Sequence, residues 1–208
     1  MTAETSVQRS FARVVFALDS RLRRRYGVID YLDSPDCILR VKLGRAGRRI
    51  VLSDGVRLGP ADRIAELHFR NEHFPAMHEG GATIAWARRV AQRMDLSLRE
   101  LCRYLETRSE LDDVVAVRAV MPLRNLDQAP QFERIASRFG FAPLPEPDTL
   151  AGRLLGLGQN LVGLTLVMAS NPKAAHLDLL LRRAAPVYIS RRALEKRYRE
   201  PDAPDMLA

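Results

Sequence analysis

Apolar and polar positions along this chain of 208 residues change period several times, and the changes divide it into elements. Val7, Phe11, Val14, Val15, Leu18 and Leu22 recur at three- and four-residue steps, which predicts an amphipathic helix over residues 7–25. Arg21, Arg23, Arg24 and Arg25 load its last turns, where cations favour the helix dipole, and Gly27 ends it. From Ile38 the period shortens to two. Ile38, Arg40 and Lys42 alternate with Leu39, Val41 and Leu43, and Gly44 to Gly47 supply a turn, so "CILRVKLGRAGRRIVL" predicts a hairpin. Asp54-Gly55 and Gly59-Pro60 mark two more turns before a strand over residues 63–70.

Helical spacing then returns. "GATIAWARRVAQRM" and "SLRELCRYLETRS" predict two helices, the second opened by a capping box of Ser97 and Glu100. "VVAVRAVMPL" is a strand, Pro130 to Phe139 a short helix stopped by Gly140, and "FAPLPEPDT" a proline-rich joint. Residues 149–170 predict a long apolar helix that Asn171-Pro172 stops, "PVYIS" a short strand, and "RRALEKRYR" a basic helix. The fold class expected is therefore α+β. A small antiparallel sheet is packed by several helices, with a long apolar helix near the C-terminus. One domain covers residues 1–200, and residues 201–208 form a flexible tail.

Composition narrows the partners. Hydrophobic residues at 47% and charged ones at 28% are globular values, enough to bury a core. The formal net charge is +8, and only Lys42, Lys173 and Lys196 among the basic residues are lysine. Arginine grips phosphate bidentately, which points to phosphate-bearing partners, although an arginine-rich codon usage gives the same bias. Cys37 and Cys102 lie far apart without a paired spacing, so a disulfide framework and a cysteine zinc site are not expected, and the protein is placed in a reducing cytoplasm. The N-terminal apolar run is broken by Arg13 and does not read as a signal peptide.

"AELHFRNEHF", residues 65–74, concentrates the candidate chemistry. In an extended strand Ala65, Leu67 and Phe69 face the core, while Glu66, His68 and Arg70 stand in a row on the opposite side. Asn71, Glu72 and His73 follow at the strand end, and Asp54 and Asp62 precede it in turns. An acid beside an imidazole orients a ligand or serves as a base; the same row is also what a half-solvated strand displays for cross-strand ion pairs. His68, His73 and His78 with Glu66, Glu72 and Glu79 have the number but not the spacing of a metal site, and none is expected.

The segment from Leu154 to Ala169, about 16 residues, is shorter than the roughly 20 that a bilayer span requires. Its glycines suit close packing in a core, with a membrane-surface helix as the alternative. Arg182, Arg183, Arg191, Arg192, Lys196, Arg197 and Arg199 lie on its C-terminal side, and the first five are the candidates for contact with an anionic surface. Nucleic acid is not the expected partner, because aromatics are only 6% and no recognition motif is visible. An enzyme reading remains as well. "FERIASRFGFAP" looks like a junction in the Gcn5-related acetyltransferases, which implies an acyl-coenzyme A dependent acyltransferase, but "RNLDQAP" after the strand lacks the glycine loop that would hold a cofactor pyrophosphate.

Several stretches together resemble the YkoP-like domain, a bacterial module found alone or attached to polysaccharide deacetylase domains. They are "DGVRLGPADRIAELHFRNEHF", "FERIASRFGF" and "VYISRRALEKRYR". The resemblance implies a bacterial protein connected with the cell envelope and carries no established reaction; the Asp and His motifs of a deacetylase are absent. Asp54, Glu66, His68, Asn71 and Glu72 carry it, and are the candidate ligand-binding residues. The expected role is an accessory or ligand-binding module, cytoplasmic and peripheral on the inner membrane, engaging an anionic lipid-linked or sugar-phosphate ligand. No catalytic residue, cofactor or oligomeric state is assigned.

Overall fold

The computed structural model describes residues 27–76, 83–123, 129–144 and 183–199. The helix expected over residues 7–25, the apolar helix expected over 149–170, Arg182 and the tail after Pro201 lie outside these described residues.

Among the described residues eight strands and three helices follow in order: β1 Val28–Ile29, β2 Leu39–Arg45, β3 Ile50–Val51, β4 Arg57–Leu58, β5 Arg63–Phe69, α1 Ile84–Glu106, β6 Val114–Leu123, α2 Ala129–Arg138, β7 Ala142–Pro143, β8 Arg183–Ser190 and α3 Arg191–Tyr198. Single 3₁₀ turns at Asn71–His73 and Ser109–Leu111 flank α1. Six strands form one sheet in the order β1-β2-β5-β6-β8-β7, and β3 pairs only with β4. The α+β class stands, but the sheet is mixed rather than antiparallel, because β5 and β6 run parallel. The physical reason is the connection. A hairpin turn reverses a strand, whereas the long helix α1 carries the chain back across the sheet so that β6 starts at the same end as β5.

The hairpin expected between residues 37 and 52 does not form. Strand β2 pairs antiparallel with β5, from Leu39 opposite Phe69 to Arg45 opposite Arg63. Two further bonds prolong that ladder, from the Ala46 amide to the Asp62 carbonyl and from the Gly47 amide to the Pro60 carbonyl. The Gly44–Gly47 stretch therefore stays with β5, and β3 leaves the sheet to make a small ribbon with β4 through a turn at Leu52–Val56.

The two helices expected between residues 81 and 109 are one. Thr83 caps its start, its hydroxyl accepting from the Trp86 amide at 3.1 Å. Ser97, expected as a second cap, sits fully buried in mid-helix. Its hydroxyl donates to the Arg93 carbonyl at 2.7 Å and accepts the Ile38 amide at 2.9 Å, so the helix continues past it. Ser190 caps α3, accepting from the Ala193 amide at 3.0 Å. Gly140 ends α2 with φ at +83°, a conformation that an L side chain rarely adopts.

Alternation sorts the sheet into two faces. Leu39, Val41, Ala65, Leu67, Val117, Val187 and Ile189 project to one side and meet Leu98, Leu101, Cys102 and Leu105 of α1 and Leu194 and Tyr198 of α3. That is the main core. On the other side Ile64, Ala116 and Tyr188 are covered by Ile50, Leu52 and Leu58 of the β3–β4 ribbon, a second and smaller apolar cluster.

Candidate functional site

Beyond the area that the ribbon covers, the second face of the sheet is polar. The pairing sets its rows: Lys42 lies opposite Glu66, Glu66 beside Arg118, and Arg118 opposite Tyr188, while Arg40 lies opposite His68 one step along. Four strands thus bring a lysine, a glutamate, an arginine and a tyrosine into one line. Glu66 and His68 stand side by side on this face, as the period-two pattern predicts.

The Glu66 carboxylate is shared. Lys42 Nζ lies 3.6 Å from its Oε2, and an Arg118 guanidinium nitrogen lies 4.0 Å from its Oε1. Gly44 makes room for it, since a methyl group there would fall 3.2 Å from Glu66 Oε1. Arg118 is held in turn by Tyr188, whose hydroxyl accepts from Nε at 3.1 Å and whose ring lies 6.0 Å from the guanidinium carbon. Lys42, Glu66 and Arg118 are each partly open to solvent, and His68 is exposed. The pKa of His68 is lowered below the ordinary imidazole value. Partial loss of water around the ring is the largest cause; Glu66 opposes it, and Lys42, Arg40 and Arg118 act in the same direction as the lost water.

A second polar group closes one end of this face. Arg40 is 4% exposed and pairs with Glu72 and, at 3.0 Å, with Asp30. Arg70, expected on the solvated row, is buried: it donates to the Leu32 carbonyl at 3.0 Å and lies 3.8 Å from Asp30. His73 meets the Cys37 carbonyl through Nδ1 at 3.0 Å and serves the turn after β5.

The five residues expected to bind ligand are thus divided. Glu66 and His68 share the open polar face, and Glu72 reaches it through Arg40. Asn71 opens the 3₁₀ turn at the strand end. Asp54 is elsewhere, at the tip of the β3–β4 ribbon, where it accepts the Val56 amide at 3.3 Å and the Ser190 hydroxyl at the start of α3. Of the residues expected to meet an anionic surface, Arg192 and Lys196 are exposed. Arg191 is turned inward: it donates to the Leu111 carbonyl at 2.6 Å and the Leu105 carbonyl at 3.0 Å and pairs with Glu195 at 2.7 Å. Arg183 lies at the start of β8.

Sequence reasoning passed over Lys42, Arg118 and Tyr188. The signal was present for two of them. Arg118 is the lone charged residue in "VVAVRAVMPL", and Lys42 shares the parity of Arg40. A hollow of about 170 Å³ lies past Tyr188, lined by Val51, Leu52, Ser53, Ala142, Pro143 and Leu144, away from Glu66 and His68. Among the described residues no three His, Cys, Asp or Glu side chains converge as a metal ion requires, and no helix is long and apolar enough to cross a membrane.

The family model described as the YkoP domain matches residues 15–198, and the chain belongs to that family. No curated protein and no solved structure matches it.

Proposed function

We propose that this chain is an accessory ligand-binding module of the bacterial envelope, acting at the inner face of the membrane. On this reading the polar face of the sheet holds an anionic sugar-phosphate or lipid-linked headgroup. The observation that carries it is the loosely divided carboxylate: Glu66 lies 3.6 Å from Lys42 and 4.0 Å from Arg118. Closed charge-assisted hydrogen bonds run at about 2.7–2.9 Å, so neither contact of the Glu66 carboxylate is a closed pair. Lys42 and Arg118 supply attraction for a phosphate, and Tyr188 fixes the Arg118 guanidinium before a ligand arrives. Glu66 accepts hydrogen bonds only, which suits sugar hydroxyls, and a neutral His68 accepts or donates beside it. Exposed Arg192 and Lys196 add positive potential on α3.

Titration calorimetry with glucose 1-phosphate and with inorganic phosphate tests this reading. The sugar phosphate should bind more tightly than phosphate alone. Lys42→Met should weaken both by roughly tenfold, the effect of losing one charge-assisted contact. Heat that is absent for both compounds, or unchanged in Lys42→Met, ends the reading. A thermal shift with acetyl-coenzyme A that His68→Ala removes would turn attention to the acyltransferase.

A further inference from the structure

We infer that the first turns of α1 are the surface by which the protein docks on an anionic membrane. This rests on the membrane half of the function proposed above and names its contact face. Ile84, Ala85, Arg88, Arg89 and Gln92 recur at helical spacing and are all exposed, forming one outward stripe. Ile84, at the tip, is 75% exposed, the most of any large apolar side chain described. Ala85 and Ala87, close to it along the helix, are exposed as well, so the described residues beside Ile84 add apolar surface.

Charge on this stripe has one sign. The first turn of α1 holds no acid, and the first acidic residue after Thr83 is Asp95. The partial positive charge of the helix start therefore meets no acid within the helix's own first turn and adds to Arg88 and Arg89. Neither arginine has an ion pair or hydrogen bond among the described residues. Arg93, on the inward side, differs: it pairs with Asp36 at 2.8 Å and donates to the His73 carbonyl at 2.6 Å. The cations nearest the tip are thus the ones without an internal use.

An apolar tip with two arginines one turn behind it matches the depth profile of an anionic bilayer, apolar below and negatively charged at the headgroups. A nucleic-acid backbone has no use for the isoleucine. Trp86 anchors the tip from within, donating through Nε1 to the Pro75 carbonyl at 2.9 Å, and is partly buried there. It is also the only tryptophan in the chain, so its fluorescence reports on this site alone.

The test is sedimentation and tryptophan emission with vesicles of phosphatidylcholine alone or with one quarter phosphatidylglycerol. The wild-type chain should sediment with the anionic vesicles only, with a blue shift of Trp86. Arg88→Glu/Arg89→Glu should lower partition at least about twentyfold, since each basic group near such a surface contributes about a fivefold gain. Ile84→Ser should lower it about threefold, and Arg192→Glu/Lys196→Glu much less than the α1 reversal. All the substituted side chains are exposed, and circular dichroism melts should match wild type. A loss caused by the α3 variant and not by the α1 variant overturns the inference and leaves membrane binding intact. No binding of wild type to anionic vesicles, or binding to a duplex oligonucleotide in its place, overturns the membrane half as well. Glucose 1-phosphate binding by the α1 variant, measured separately, shows whether the sheet-face site survives that outcome.

Discussion

The two faces of the sheet are built from the same strands and alternate residue by residue, yet they do different work. Leu39, Val41, Ala65, Leu67 and Val117 meet α1 and α3 in a closed apolar layer. Their neighbours Arg40, Lys42, Glu66, His68 and Arg118 carry charged and polar side chains, and among the described residues the β3–β4 ribbon roofs the end carrying Ile64, Ala116 and Tyr188. Alternation decides which residues share a face. What then covers that face decides whether it becomes core or stays polar.

The largest effect belongs to the closed face. Leu101 is fully buried where α1 meets the sheet. Leu101→Ala should cost about 3 kcal/mol and lower the melting temperature by roughly 10 °C in a thermal melt. A loss under about 1 kcal/mol would mean that this layer collapses around the gap, and the two faces would no longer differ in how tightly they are packed. Glucose 1-phosphate affinity, measured well below the melt, should not move.

A smaller effect tests the roof on the other face. Asp54 ties the tip of the β3–β4 ribbon to Ser190, and Ser190 caps α3. Asp54→Ala removes an acceptor from both the Ser190 hydroxyl and the Val56 amide and should cost about 1 kcal/mol. Urea unfolding measures this. If the sugar phosphate also loses affinity in Asp54→Ala while stability is kept, Asp54 belongs with the polar row after all.

How far each face was legible follows from the range of the interactions that make it. Strands β2, β5, β6 and β8 and helix α3 could be read from local periodicity, and so could the shared side of Glu66 and His68, because period two is a property of six or seven consecutive residues. The partner of β2 could not. Gly44 to Gly47 look like a turn locally, but the amides of Ala46 and Gly47 are satisfied by carbonyls at positions 62 and 60, a choice made by the tertiary ladder. Ser97 misleads for the same reason. Its hydroxyl reads as a cap beside Glu100, but the buried Ile38 amide, 59 positions away, requires it in mid-helix. The Lys42–Glu66–Arg118 row spans three strands, and no local window contains it. Arg191 shows the limit for charge: a basic run reads as surface, yet two carbonyls at helix and turn ends draw one member inward.

The smallest effect, and the one that distinguishes the open face most directly, is the titration of His68. Burial on the closed face is indifferent to mild acid, whereas His68 sits among Lys42, Arg40 and Arg118 with Glu66 as the opposing charge. Its folded pKa is lowered, with partial loss of water around the ring the leading cause. In the unfolded chain it should titrate near the ordinary value of about 6.5. Below that pH the unfolded state binds the proton more readily than the folded state, so stability falls as pH drops from about 6.5 through the folded pKa, and is flat above. The side chain is exposed, so the effect is small and is best read as a difference. Melting temperatures of wild type and His68→Gln, followed from pH 7.5 to 5, should diverge, the wild type losing more in the acidic half. The difference between the two curves isolates the contribution of position 68. Parallel curves would mean that the ring is effectively solvated and that the three cations are screened from it. The polar row would then be an ordinary wet surface, and the contrast between the faces would reduce to packing alone.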